Sequence, residues 1–435
     1  MILFRSVGRR HLQGYKELTK HSAIVTLEAS EGKLVYFPTL APNGKPITYS
    51  VKEGDEVKVG TKIGQRTDFE VPLYSSVSGK VLANKNVFSP QVNRAIPHLV
   101  IESDGKNEKA VPLKTVTLDD SKEDIFEAIK QAGIVGMGGA GFPTYVKYNN
   151  PKGINTLIVN GVECEPFLTT DFVTMQQDVD NLILGCKYLM KASEAKNTII
   201  AIKVHKDEVR DAINAKLKDE PTIMVQEVPD VYPMGWEKVL IKEITGKEYE
   251  RLPAEAGVVI NNGQSVISIG QVLSTGEPIS LRTITVSGNV IKNPTNVVCP
   301  IGTLASEIIE ALGGITDEAT LIPGGPMCGR SVKTDEFPIL MQMGSLTLLK
   351  PVKIVEEACL RCGSCTMHCP AGLQPVEIRN AFKAKDTERT IKLNVMSCVE
   401  CGMCSYSCPS KIQLTETMKN AKTVARFKMS QQQKK

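Results

Sequence analysis

The chain has 435 residues, twelve of them cysteine, and a formal net charge of +4 at neutral pH. That length allows roughly two to four domains, and a small charge with bases and acids interspersed argues against nucleic acid as a partner. No apolar run is long enough to span a bilayer, and the amino-terminal "MILFRSVGRRHLQG" has its short apolar stretch on the wrong side of its arginines for a signal peptide. The expectation is a cytoplasmic protein without a direct membrane span, able to dock peripherally on the inner face of the cell membrane through protein contacts.

Residues 1–112 read as β-rich, with short apolar runs broken by Gly, Pro and Asn. "VKEGDEVKVGTKIGQ" followed by "VPLYSSVSGKVL" has the pattern of a barrel-sandwich hybrid, the small fold of lipoyl and biotinyl carriers. Those carriers present a lysine at a hairpin tip; the connecting "RTDFE" has none, so a structural domain is expected. Residues 113–278 alternate helical and strand patterns, which predicts a multidomain α/β protein with a largely parallel sheet here. "SKEDIFEAIKQAG" is a helix entered by a capping-box spacing at Ser121 and Asp124 and stopped by Gly133. It leads into "GIVGMGGAGFPT", where Gly136, Gly138 and Gly141 form a literal G-x-G-x-x-G. A helix rather than a strand enters this loop, so it is not a Rossmann fingerprint, and the absence of Ser or Thr after Lys147 excludes a P-loop. Adjacent glycines still let backbone N–H groups approach phosphate oxygens, and Pro143 is placed to open a helix with its positive end toward an anion.

"NTLIVN", "NTIIAIKV" and "TIMVQEV" follow as strands, with helices over "DVDNLILGCKYLMKA" and "KDEVRDAINAKLK" between them. Residues 279–350 read as strand, turn, strand and a helix from near Thr303, a β-grasp-like module. A linker around "KPVKIVEEA" opens the cysteine domain, residues 351–420, and the basic, Gln-rich 421–435 is expected to be a flexible tail.

"CLRCGSCTMHCP" and "CVECGMCSYSCP" are two copies of C-x2-C-x2-C-x3-C-P, the run that holds 4Fe-4S clusters. The fourth cysteine of each run reaches the other cluster, so Cys359, Cys362, Cys365 and Cys408 form one ligand set and Cys398, Cys401, Cys404 and Cys369 the other. Structural zinc has no use for a third and fourth cysteine at fixed spacing followed by proline. The long helical segment between the runs predicts an α-helical dicluster ferredoxin domain. Such clusters move single electrons, so a nicotinamide donor calls for a flavin as converter. Cys164, Cys186, Cys299 and Cys328 read as buried structural residues, and His368 as a bystander within its run.

Over essentially its whole length the sequence resembles the C-type member of the Rnf ion-pumping electron-transport complex, the RnfC family. "GMGGAGFPTYVKY" and "NGVECEPFLTTDF" are also similar to the glycine-rich and Asn-acid motifs of the NADH-oxidising flavoprotein subunit of respiratory complex I. The resemblance implies FMN and NAD(H) in the α/β domain, an SLBB-like β-grasp module and two 4Fe-4S clusters. It carries the cofactor-binding role to Gly136, Gly138, Gly139, Gly141 and Lys147, and to Asn160, Glu163, Glu165 and Asp171. "VYPMGWEK" and "GVVINNGQS" add Tyr232, Gly235, Glu237, Asn261 and Asn262. The family's usual "P-x-Q-H-x-G-x-P" segment is replaced here by "FPTLAPNGKPITY", and the family has soluble relatives, among them a cobalamin reductase and a proline reductase-associated electron-transfer protein. The implied partner is therefore either the Rnf membrane subunits or a soluble reductase acting on proline or a corrinoid. A rival of another class is a non-catalytic iron–sulfur adapter.

Overall fold

The computed structural model describes residues 10–432. The amino-terminal module packs two antiparallel sheets face to face. One runs Leu34–Pro38, Arg94–Ser103, Gly79–Ser89, Glu56–Val57, and the other Ile47–Tyr49, Lys62–Arg66, Pro72–Tyr74. Alternation along the strands turns Val35, Phe37, Ile63, Val81, Leu99 and Ile101 inward to one core. At the tip where a carrier lysine would stand, Asp68 turns back onto Arg66 at 2.7 Å.

The α/β module is a parallel sheet in the order Ile223–Val228, Asn197–Lys203, Thr156–Asn160, Val258–Asn262. Its strands are apolar on both faces because helices cover both. Leu157 and Val159 face the helices Lys122–Gln131, Val179–Ser193 and Gly263–Thr275, while Ile158 faces Glu237–Thr245 on the other side. Ser121 caps the first helix by accepting from the Asp124 N–H at 3.1 Å. The helix expected to open at Pro143 is only a five-residue 3-10 turn, Thr144–Tyr148, with Pro143 just before it. So short a turn supplies little dipole, and any anion at this loop must be held by the loop's own N–H groups.

The third module is a five-stranded sheet in the order Val25–Thr26, Thr295–Pro300, Leu281–Gly288, Ser345–Leu349, Thr320–Pro323, backed by the helix Ala305–Ala311. Its edge strand comes from the start of the chain: Val25 pairs in parallel with Val297. Residues 10–22 likewise leave the barrel module and lie on the α/β module, where Tyr15 stacks on Phe167 with centroids 4.7 Å apart and Arg10 bridges to Tyr232.

The cysteine module is helical. Short helices Ser364–Met367 and Met403–Tyr406 follow the first cysteines of each run, and Pro375–Lys383, Thr387–Lys392 and Leu414–Gln432 pack around Ile378, Val395 and Met418. The flexible tail expected over 421–435 is not what forms as far as Gln432; the last three positions lie outside the described residues. The last helix runs to Gln432, and Ala421 and Ala425 are fully buried in the module's core, because small residues four apart let it lie close against its neighbours. Among the described residues no helix is long and apolar enough to cross a membrane.

Candidate functional site

The carboxyl ends of the strands Thr156–Asn160 and Val258–Asn262 deliver Asn160, Asn261 and Asn262 to one edge of the parallel sheet, where open α/β sheets receive ligands. The glycine loop lies against this edge. It is pinched at its base by the Gly136 N–H donating to the Phe142 carbonyl at 2.8 Å, and the Met137 N–H donates to Ser265 Oγ at 3.0 Å. Between these anchors Gly138, Gly139 and Ala140 form an exposed tip. Among the described residues no group accepts from the N–H of any of these three. Gly139 has φ +124° with open space around its α-carbon, a conformation glycine tolerates and side chains do not. A phosphate fits this arrangement: unsatisfied N–H groups, no side chain in the way, and backbone free to approach.

Facing the tip is a connected polar wall. A β-carbon on Gly138 would lie 3.6 Å from the Asn262 side chain. Asn262 Nδ2 donates to Asp171 at 2.9 Å and Gln264 Nε2 donates to its other oxygen at 2.6 Å. Glu163 accepts from the Asp171 N–H at 3.1 Å. Burial, and then the neighbouring Glu163 carboxylate, push the Asp171 carboxyl up to about 6. Such a wall of amides and carboxylates can accept from ribityl hydroxyls and meet both donors and acceptors of an isoalloxazine edge.

The other residues singled out from the sequence fall elsewhere around this edge. Lys147 donates to the Ile260 carbonyl at 2.6 Å, and burial lowers its pKa, with Glu237 opposing that shift. Asn261 donates to the Tyr148 hydroxyl in the same corner, and Tyr249 to Glu237 at 2.8 Å. Asn160 holds the loop before Glu237 by donating to the Gly235 carbonyl at 2.8 Å.

Glu165 and Tyr232 stand apart from the wall, at the junction of three modules. The Glu165 carboxylate accepts from the Met327 and Cys328 N–H groups of the β-grasp module at 3.0 and 2.8 Å. Tyr232, buried, donates its hydroxyl to the carbonyl of Cys401 at 2.7 Å. A β-carbon on Gly402 would meet the Met327 carbonyl at 2.4 Å, so only glycine lets the cysteine module approach this closely. A segment of the α/β module thus touches a cysteine of the second run directly.

Seven of the eight clustered cysteines fall into two neighbourhoods. Cys398, Cys401 and Cys404 lie near Cys369 of the other run, and Cys365 packs with Cys359 and Cys408. The two runs are built alike: the Arg361 N–H donates to Cys359 Sγ and the Glu400 N–H to Cys398 Sγ, each at 3.4 Å. Amide-to-sulfur donors of this kind suit thiolates of an iron–sulfur cluster. Among the described residues no group of three or more His, Cys, Asp or Glu is set to hold a single metal ion; a cubane, bound at its corners, needs its thiolates wider apart than one zinc ion does. The two sets differ in setting. Cys401 is buried against Tyr232 and Met403, whereas Cys362 is exposed beside Leu360. Cys186 and Cys299 are fully buried, and burial pushes the Cys299 thiol up to about 12. His368 bonds back to the Ser364 carbonyl of its own helix.

Four family models match in chain order: an RnfC barrel-sandwich hybrid domain over residues 6–106, a Nuo51 FMN-binding domain over 129–271, an SLBB domain over 283–331 and a 4Fe-4S dicluster domain over 358–412. The RnfC-type component of the proton-translocating ferredoxin:NAD(+) oxidoreductase complex of Clostridium ljungdahlii is 34% identical, the match covering 78% of this chain and 77% of that one. Its counterpart in the Na(+)-translocating complex of Acetobacterium woodii is 36% identical over 80% of each. The chain belongs to the RnfC family. The segment "FPTLAPNGKPITY" lies inside the stretch matching the RnfC barrel-sandwich domain, so its departure from the usual RnfC pattern leaves the module intact. In fold, the chain resembles a subunit of the NAD+-reducing [NiFe]-hydrogenase in its air-oxidised state, with TM-score 0.51 at 17% identity, covering 72% of this chain and 67% of that one.

Several residues of the RnfC-like site escape a motif reading. Gln264 and Ser265 lie in the first turn of the helix after Asn262, inside "GVVINNGQS", from which the resemblance singles out only the two asparagines. Lys16 reaches in from the amino-terminal segment and donates to the carbonyls of Glu163 and Glu165 at 3.2 and 2.8 Å, and to that of Leu168. Arg282 of the β-grasp module, which no local pattern marks, bonds to Gln264.

Proposed function

We propose that this chain is the NADH-oxidising subunit of an ion-translocating ferredoxin:NAD+ oxidoreductase complex, exchanging electrons with the complex's other subunits through two 4Fe-4S clusters. FMN would supply the conversion of hydride transfer into single-electron steps, and the clusters would supply the one-electron relay. In this reading the amides of Gly138, Gly139 and Ala140 receive the FMN phosphate, with Gly136 and Gly141 shaping the loop. Asn262, Asp171 and Glu163 hold the flavin through its ribityl and ring polar groups. Lys147, Asn261 and Glu237 keep the strand ends beside it in place, and Asn160 with Gly235 closes the floor.

Glu165 and Tyr232 take a different part. They bind the flavin segment to the β-grasp and cysteine modules, so that the set Cys398, Cys401, Cys404 and Cys369 stands on the flavin side. The set with exposed Cys362 faces outward, toward a protein partner. The observation that carries the reading is the Tyr232 hydroxyl on the Cys401 carbonyl, a contact between the segment read as flavin-binding and the run read as cluster-binding.

An anaerobic absorbance spectrum before and after NADH, with iron and flavin quantified on the same sample, tests it. Bleaching of both flavin and iron–sulfur bands is expected. Cluster bands with no flavin and no response to NADH, even after FMN is added, would overturn the reading in favour of an adapter.

A further inference from the structure

Two buried arginines, one from each flanking β module, grip the glycine loop by its carbonyls. Arg66 of the barrel-sandwich module donates through Nη1 to the Gly141 carbonyl at 3.1 Å. Its other nitrogens are held by Asp68 at 3.0 and 2.7 Å, and Asn43 donates to the same Asp68 carboxylate at 2.6 Å. Arg282 of the β-grasp module donates through Nη2 to the Met137 carbonyl at 3.2 Å, through Nε to the Met343 carbonyl at 2.9 Å, and through Nη1 to Gln264. Both side chains are almost fully buried. Burying a guanidinium against main-chain oxygens is costly unless its bonds are all needed, so the placement calls for a reason.

The reason lies in the peptide plane. In a trans peptide the carbonyl of one residue and the N–H of the next point in opposite directions. With the Met137 carbonyl tied to Arg282, the Gly138 N–H is turned away from the protein interior; with the Gly141 carbonyl tied to Arg66, the Phe142 N–H is turned likewise. Neither N–H has a partner among the described residues. The tip between the two grips is the part with unsatisfied amides. We propose that Arg66 and Arg282 are positioning residues that hold the loop with its carbonyls inward and its amides outward, so that flavin-phosphate binding depends on the seating of both flanking β modules. The proposal rests on the FMN reading above.

Riboflavin lacks the phosphate and otherwise shares the flavin, so the ratio of riboflavin to FMN dissociation constants reads the loop alone. It is measured by fluorescence quenching on full-length, iron-loaded protein stripped of flavin, for wild type, R66M, R282M and R282K. The wild type is expected to prefer FMN. R66M should lose on the order of tenfold in FMN affinity, the worth of a charge-assisted bond, with riboflavin affinity and iron content unchanged. R282M should lower the preference as well, and R282K, which keeps one donor group, should recover part of it. A merely structural arginine would weaken both flavins alike. Should R282M fail to take up iron, R66M and R282K decide the matter. A wild type that prefers FMN, with variants that keep that preference, overturns the clamp. A wild type that binds both flavins equally, or neither, overturns the phosphate-loop reading itself.

Discussion

Asp171 lies where two amide donors meet it and a second carboxylate crowds it. Its folded pKa is raised from the ordinary aspartate value to about 6, burial being the larger cause and Glu163 the next. Between about pH 4 and pH 6 the folded chain then keeps a proton that the unfolded chain has released, so this group's contribution falls as pH rises through that window. The stability of D171N relative to wild type, from denaturant midpoints in flavin-free protein, should climb from about pH 4 to pH 6 and level off above; a flat difference would mean that the carboxyl titrates normally. Gly139 gives a second residue-scale test. With φ +124° and nothing within 4 Å, G139V meets no clash but imposes about 1–3 kcal/mol of backbone strain. Flavin content of the purified protein should fall while iron stays at wild-type stoichiometry. Loss of both together would contradict the separation of flavin and cluster sites.

At the scale of elements, Tyr232 joins a loop of the α/β module to the second cysteine run. Y232F removes the donor to the Cys401 carbonyl at a cost of about 1 kcal/mol. A donor near a cluster favours its more negative, reduced state. Y232F should therefore lower one of two midpoint potentials in a redox titration followed by electron paramagnetic resonance and leave the other; equal shifts in both would refute the assignment of the flavin-side cluster. Three strands of the parallel sheet, the helices Lys122–Gln131, Val179–Ser193 and Asp207–Lys216 and the repeated cysteine run are legible in the sequence because each is written within a few consecutive residues: alternation in "NTIIAIKV", the cap at Ser121, the repeat C-x2-C-x2-C-x3-C-P. Residues that act across modules are not. Arg282 sits in an unremarkable strand and Lys16 in a polar amino-terminal stretch, and their partners are reached only through tertiary packing. The final helix misleads for a related reason: its basic, Gln-rich composition resembles a frayed end, while the buried Met418, Ala421 and Ala425 and the bonds of Lys419 and Lys422 to Cys328 and Cys398 hold it in place. Truncation after Asn420 should therefore cost the protein iron, which loss of a loose tail would not.

For the molecule as a whole, the flavin edge is assembled from distant parts of the chain. The amino-terminal segment shows this most directly. Lys16 is buried with three main-chain oxygens of the Asn-acid segment around it, so K16M should destabilise that segment by about 1–3 kcal/mol and raise proteolytic cleavage within residues 163–168 more than elsewhere. The same segment also constrains how the protein is made. Ser22 and Thr295 meet although they are 273 positions apart, and Val25 completes its pairing only with Val297. At roughly 5–20 residues per second of synthesis, that first strand waits on the order of tens of seconds for its neighbour to leave the ribosome. The segment around Lys16 finds its partners once residues 163–168 are made, whereas the strand at Val25 must be carried unpaired through the production of the barrel and the whole α/β layer, and the β-grasp sheet gains its edge only late in translation.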